Sequence, residues 1–561
     1  MFVVGTSLSA VLLIAILITI HEFGHFIAAK ALGVRVHVFS VGIGGRAFGV
    51  QWGDTDYRVS WFPFGGYVRM AGADPFMDGG GDEGDDLRAP GSFMARPAWQ
   101  RLVIIAAGPA MNLVLPFVVF TVLMIAGEPQ PRADIRGVAP ASAAAEAGLL
   151  PGDRLITVDG TPVSTWVDVA DAIAASSGDD IAVEVVRADA RISAALATAG
   201  IDFGEVRGPV ELGLRNQAPD ATVVVDDPRS AVARAGMRTG DRVVAVNGAA
   251  IRDWTDVRAA LSDVATATLR WVPFDPANPD AALPEREARV VADAEHSGRP
   301  EAADDDLWQR WGLATAVTAV GRLEKESAAA LAGVTVGDRV LAIDDTPVRS
   351  WEDIVRGVSA TVTGGEGRDM KVREIRLDLR RNGEVVRLRF TPKVVNDSDE
   401  LGRSRWRALI GVGPIGDYVS APEIPRPYPP IEAFLRASDR TLLVGSFMVE
   451  QLGMLITLRA SIEDNLGGPV EMFRQTQKAA EGGVFSWAQT LGLLSISLGI
   501  INLVPVPVLD GGQLLMYGAE WIRGRPLPLI FRERAQQAGV IFLVLLMLFV
   551  FFNDIKRAIG S

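Results

Sequence analysis

His21-Glu22-Phe23-Gly24-His25 closes an apolar run that begins at Val11. On a helix, residues four apart share a face. The two imidazoles therefore point the same way and offer two corners of a tetrahedral zinc site, with Glu22 beside them as a candidate general base. The chain holds four histidines, and two of them are here. Polar residues capping the inner end of a membrane anchor would give a similar stretch. Against that, ionisable groups at membrane depth are costly and mark function, and the run stays apolar and small through Phe26-Ile27-Ala28-Ala29. A basic leader and a small-residue cleavage site are lacking, so residues 1–31 read as a retained transmembrane helix rather than a signal peptide.

A length of 561 residues and a net charge of -13 set the frame. Long apolar runs alternate with a charged middle, the mark of a multi-pass membrane protein with a large soluble part. No basic stripe is present to neutralise phosphates, which argues against nucleic acid. Without cysteine, any metal must be held by His and carboxylate.

Residues 32–72 change period. Val36-His37-Val38-Phe39-Ser40-Val41 and Tyr57-Arg58-Val59-Ser60-Trp61-Phe62 alternate among glycines, as a small membrane-associated β hairpin would, with an edge able to take an extended peptide. His37 reads as structural and His296 as a surface residue. Residues 73–100 hold an acidic, Gly-rich stretch, read as a solvated cytoplasmic loop. A second span, 101–127, contains Gly108-Pro109 and Asn112, which lipid tolerates only under cover of protein or water.

No segment from Glu128 to about Arg426 is long and apolar enough to span a bilayer, and a repeat appears instead. Gly152-Asp153-Arg154-Leu155-Ile156, Gly240-Asp241-Arg242-Val243-Val244 and Gly337-Asp338-Arg339-Val340-Leu341 each follow an Ala-Gly pair and precede a Trp that opens a helical pattern. The repeats resemble PDZ domains, at 128–216, 217–300 and 301–395, and the resemblance implies peptide or C-terminus recognition. A Pro-rich linker is expected at 396–430, followed by an amphipathic, membrane-surface segment at 431–484.

A third span, 485–515, ends in Asn502-Leu503-Val504-Pro505-Val506-Pro507-Val508-Leu509-Asp510-Gly511. Two prolines break the helix there and leave Asp510 in irregular backbone. Asp510 is the candidate third ligand, since two histidines and one carboxylate leave a position open for water; a turn or helix-capping role is the alternative. A basic loop at 516–535 and a fourth span at 536–557 complete the chain. Arg523, Arg525, Arg532 and Arg534 in that loop assign it to the cytoplasm, which puts His21, His25 and Asp510 toward the cytoplasmic half and the repeats outside.

Taken together, the paired histidines, Gly108-Pro109 with Asn112, the PDZ-like repeats and Asn502-x-x-Pro505-x-Pro507-x-x-Asp510-Gly511 resemble the bacterial site-2 proteases of the RseP type. That resemblance implies an intramembrane zinc protease of the inner membrane acting in stress response. Its zinc would be held by His21, His25 and Asp510, with Glu22 as base. Its substrates would be single-pass membrane proteins already cut once, such as anti-sigma factors, and remnant signal peptides. Gly65, Gly66, Tyr67, Asn502, Pro505 and Pro507 are the candidate substrate-binding residues. Two departures stand out: there are three repeats where the family usually has two, and Gln513 where better-known members have His.

Two competing classes are a PDZ-bearing scaffold without catalysis and a tethered protease for soluble external peptides. The chain's natural lack of cysteine offers a direct test of sidedness. Asp189→Cys, in the first repeat, is expected to react with an impermeant maleimide on intact cells, and Arg525→Cys only after permeabilisation. The reverse pattern would put the histidines on the external side.

Overall fold

The computed structural model describes residues 2–73, 89–139, 142–201, 203, 207–225, 227–276, 283–293, 307, 310–365, 370–398, 404–456, 476–477 and 479–560. The chain divides into two compact units, one chiefly Met1–Glu128 with Pro425–Ser561, the other Pro129–Ser398 with Arg405–Ile424. Most of the acidic stretch after Ala73, His296 and the Leu466-Gly467-Gly468-Pro469 break lie outside the described residues.

The first unit is helical. It contains α1 (Phe2–Ala31), a β hairpin of β1 (Val36–Trp52) and β2 (Thr55–Met70), α2 (Ala98–Ala126), α3 (Pro430–Ile456), α4 (Gly483–Asn502), α5 (Asp510–Arg523) and α6 (Leu529–Gly560). Among the described residues, four stretches are long and apolar enough to cross a membrane: Ser9–Ala31, Ala98–Ala126, Gly483–Asn502 and Ile530–Phe552.

Small residues let these helices approach, as they must where lipid removes the hydrophobic drive for association. A Cβ on Gly24 of α1 would lie 2.2 Å from the Ala107 carbonyl oxygen of α2. On α4, added Cβ atoms would meet the Phe120 ring at 2.5 Å from Gly492 and Leu113 at 2.9 Å from Gly499. Between them, Ser495 Oγ donates to the Asn112 carbonyl at 2.7 Å. That carbonyl would ordinarily serve the N–H four residues on, but the residue there is Pro116, which has none.

The hairpin folds back on itself. Val38–Val41 takes Asp56–Val59 on one side and Gly66–Arg69 on the other, while Arg46–Trp52 pairs with Thr55–Ser60. Gly66–Val68 thus pairs with Phe39–Val41. The outer part of the hairpin exposes Phe48, Val50, Trp52 and Trp61.

Several expected boundaries move. The second span starts at Ala98, inside the expected loop. The expected third span is two helices, α4 and α5, joined by a turn at 503–509. Most of the expected basic loop is α5 and the start of α6, because Gly524 in the left-handed conformation ends α5 and the chain re-enters helix at Leu529. The expected amphipathic helix forms as α3, but one stripe of it (Ala433, Ala437, Val444, Met448) packs against Phe120 and Leu123 of α2 and Ile496 of α4. Its Arg440 pairs with Glu128 at 2.8 Å.

In the second unit the repeated sequence folds the same way three times. Each copy is a four-stranded sheet in the order second, first, third, fourth, built on Arg154–Val158, Arg242–Val246 and Arg339–Ile343. Each has its own apolar core. The tight turns carry positive φ at both central residues, Asp159-Gly160, Asn247-Gly248 and Asp344-Asp345, as primed hairpin turns require. Asp345, a non-glycine at such a site, is held by Arg376. Each copy also closes with a distant strand: Gly137–Val138 with Leu214–Arg215, Val223–Val224 with Ala314–Thr315, and Val320–Leu323 with Val412–Pro414. The second and third copies therefore run past their expected ends at 300 and 395, and the expected linker supplies Ala408 and Ile410 to the third core.

The Gly-Asp turns are tied down in two ways. Asp153 and Asp338 are buried and held by Arg187 and Arg381, which also donate to the Gly148 and Gly333 carbonyls. In the second copy Pro273 occupies the position of those arginines in the strand register, and Asp241 accepts the Phe274 N–H instead, at 2.9 Å. Burial pushes the Asp241 carboxyl up, offset in part by that bond.

Copies one and two are joined by Arg136 and the fully buried Asp253, which also caps the helix Trp254–Leu261. Arg136→Ala leaves that carboxylate without its cation and is expected to cost about 3 kcal/mol. Hydrogen exchange in Trp254–Leu261 should accelerate roughly a hundredfold by the same figure; unchanged protection would contradict the assignment.

Candidate metal centre

Three elements bring their polar groups to one point. α1 delivers His21 and His25 from successive turns, both buried. The turn after α4 delivers Asp510 as the first residue of α5, where its carboxylate does not cap the helix but faces the imidazoles. Gly511 and Gly512 make the return possible, since Cβ atoms there would lie 2.3 Å from the Leu503 carbonyl oxygen and 2.2 Å from that of Val506.

His21 Nε2 stands 3.1 Å from His25 Nε2 and 3.0 Å from Asp510 Oδ2, and His25 Nε2 is 3.6 Å from Asp510 Oδ1. Ligand atoms about 2.1 Å from a tetrahedral ion stand roughly 3.4 Å apart, so the three groups fit zinc. Among the described residues this is the one His and carboxylate cluster of that kind.

The far sides of the rings are also held. His25 Nδ1 lies 2.8 Å from the Ile104 carbonyl of α2, donates to it, and leaves Nε2 as a lone-pair donor facing the carboxylate. His21 Nδ1 lies 3.2 Å from the Asn112 amide and 3.4 Å from that of Asn502. Asn112 Oδ1 is buried, and a half-turn of this amide sets it opposite the His21 Nδ1–H. Both rings then share one tautomer. Gly108 leaves the room they occupy: a Cβ there would lie 2.2 Å from His25 Nε2.

Beside the histidines opens a cavity of about 600 Å³, lined in part by Glu22, Gly65, Gly66, Tyr67 and Asn502. Gly66 lets the hairpin edge close on the acid, since its Cβ would come within 3.3 Å of Glu22 Cγ. The structure therefore brings His21, Glu22, His25, Asp510, Gly65, Gly66, Tyr67 and Asn502 together. Pro505 and Pro507 do not line this cavity; they shape the turn, and Pro507 packs toward Gly539 and Gly512. His37 lies on β1 outside the cluster, and Gln513 is buried in α5 outside it as well. Asn112 belongs to the site, where sequence reading gave it no role toward a ligand. Its signal was an amide one turn past a Gly-Pro pair inside an apolar span.

A model of peptidase family M50 matches residues 9–546. The chain is 29% identical over 561 residues to the regulator of sigma-E protease RseP of Escherichia coli, covering 98% of each chain. The protease of the same name in Salmonella typhimurium is also 29% identical, covering 98% of this chain and 97% of that one. A protein of Neisseria meningitidis that carries the name zinc metalloprotease is 29% identical over 563 residues, covering 99% of this chain and all of its own.

Gly108→Ala is expected to weaken zinc binding roughly 10- to 100-fold, because the methyl group takes the place of an imidazole nitrogen. Gly518→Ala, where a Cβ meets open space, serves as the control and should bind as wild type. Equal affinity in the two variants would refute the packing argument.

Proposed function

The chain belongs to peptidase family M50, and on that premise we propose that it is a site-2 type zinc endopeptidase cutting within the transmembrane segments of single-pass membrane proteins. The observation that carries this reading is the spacing of His21 Nε2, His25 Nε2 and the Asp510 carboxylate beside a cavity that also holds Glu22. His21, His25 and Asp510 hold the zinc. Bound there, zinc supplies a Lewis acid that polarises the scissile carbonyl and lowers the pKa of a water. Glu22 takes the proton from the attacking water and returns it to the leaving amine.

A transmembrane helix hides its carbonyls in its own hydrogen bonds, so it must open before it can be cut. The hairpin stretch Gly65–Tyr67, which lines the cavity with Glu22, supports a strand-addition role for an extended segment. Asn502, and Tyr67 on that stretch, are the groups we assign to holding the opened backbone. The three repeats act as PDZ-like units outside the membrane, excluding uncut proteins or reading a new C-terminus. Substrates are anti-sigma-factor-like proteins already shortened by another protease and remnant signal peptides, and the membrane is the bacterial inner membrane.

The alternative, a scaffold without catalysis, does not need Glu22 packed beside a zinc-shaped ligand set. Glu22→Gln is expected to keep one equivalent of zinc while cleavage of a tagged single-pass substrate falls 10²- to 10⁴-fold, about the contribution of a general base. Equal cleavage by both proteins would remove Glu22 as the base. Zinc absent from both would favour the scaffold.

A further inference from the structure

At the far end of α5 from Asp510 lies a second buried charge cluster that the reaction does not touch. Glu520 forms an ion pair with Arg101 Nη1 of α2 at 3.0 Å through one carboxylate oxygen. On the other it accepts Arg532 of α6 and the Leu527 N–H, the latter at 2.9 Å. The side chains are nearly sealed: Arg101 is 9% exposed, Glu520 2% and Arg532 7%. Both guanidinium groups also lie against Tyr517, 4.6 and 5.4 Å from its ring centroid, and Tyr517 is buried with Phe93, Ile104 and Ile105. One carboxylate thus collects two cations and a backbone donor from three directions, a geometry that permits little sliding.

Positions on α5 give this cluster its consequence. Asp510, Tyr517 and Glu520 recur at helical spacing on one face, as do Arg101, Ile104 or Ile105, and Gly108 on α2. The two faces meet with the ligand carboxylate against the imidazoles at Gly108 and the Glu520 cluster at Arg101. A helix is stiff along its axis, so its register fixed at one end is fixed at the other, about 15 Å away at 1.5 Å per residue. The Asp510 carboxylate, by contrast, hangs from the end of a turn that contains two prolines and makes no side-chain cap.

We propose that Arg101, Glu520 and Arg532 form a register clamp that sets α5 against α2 and so holds Asp510 at ligand distance from His21 and His25. Glu520 is a positioning residue for the metal centre. This rests on the zinc reading above and deepens it.

The test measures metal affinity on the full chain in detergent, by competition between zinc and a chromophoric chelator, together with the visible spectrum of the cobalt form. Glu520→Gln keeps the shape and removes the charge. It is expected to bind zinc 10- to 100-fold more weakly, the range seen when groups behind a ligand are lost, and to change its cobalt bands in the direction that Asp510→Asn changes them. A folded Glu520→Gln with wild-type affinity and bands overturns the clamp, because a merely structural role would leave the surviving folded protein unaltered at the metal. If Glu520→Gln does not fold, the triple variant Arg101→Met, Glu520→Met, Arg532→Met removes all three charges at similar volume. Weakened zinc and shifted bands there support the clamp, and wild-type values overturn it. Wild-type protein that binds no zinc sinks the metal reading itself and the clamp with it, an outcome distinct from normal binding in wild type and variant alike.

Discussion

Everything at the candidate metal centre depends on how closely α1 and α2 cross. Gly24 faces the Ala107 carbonyl and Gly108 faces the two imidazoles, each with a distance of 2.2 Å to the nearest atom that a Cβ would meet. A pair of histidines four apart on a helix is a common arrangement that by itself holds nothing rigidly. Here the second helix comes near enough that Ile104 and Asn112 grip the rings from behind, and those contacts decide which nitrogen faces the carboxylate. α4 extends the same packing through Gly492, Ser495 and Gly499, and its turn then carries Asp510 back to the crossing.

Much of this was legible in the residues because its causes are local. The i, i+4 spacing of His21 and His25, the helix-breaking pair Pro505 and Pro507, and the lack of cysteine narrowed the ligand set without reference to shape. What stayed hidden had causes distant in sequence. Arg532 looked like one more basic residue voting on topology, whereas it is buried on Glu520, a partner that only the return of α5 against α2 supplies. Likewise the closing strands of the second and third repeats are two or three residues far from the turn motif that announces the copy, so those two expected ends fell short. The fold-back of the hairpin was invisible for the same reason, since its register emerges only when Val38–Val41 finds partners on both sides.

The two buried ionic arrangements illustrate different uses of charge. Arg187 and Arg381 hold turn aspartates that a backbone N–H replaces in the second repeat. Such a substitution is tolerable because the requirement is only that a buried carboxylate be satisfied. The Glu520 cluster admits no such exchange, since it draws its partners from three different helices or turns and so specifies a relative position as well as satisfying a charge.

The three repeats end where they began. Pro422 accepts the Arg132 N–H, Ala421 donates to Asn216, and Tyr418–Ser420 pairs with Gln217–Pro219, so the chain leaves the second unit beside its point of entry. Neighbouring termini are what allow one module to sit inside another's loop without stretching the host. Gain or loss of a whole repeat would then alter the guest while leaving the helices on either side undisturbed, and a lineage could change its count from two to three without reinventing the enzyme.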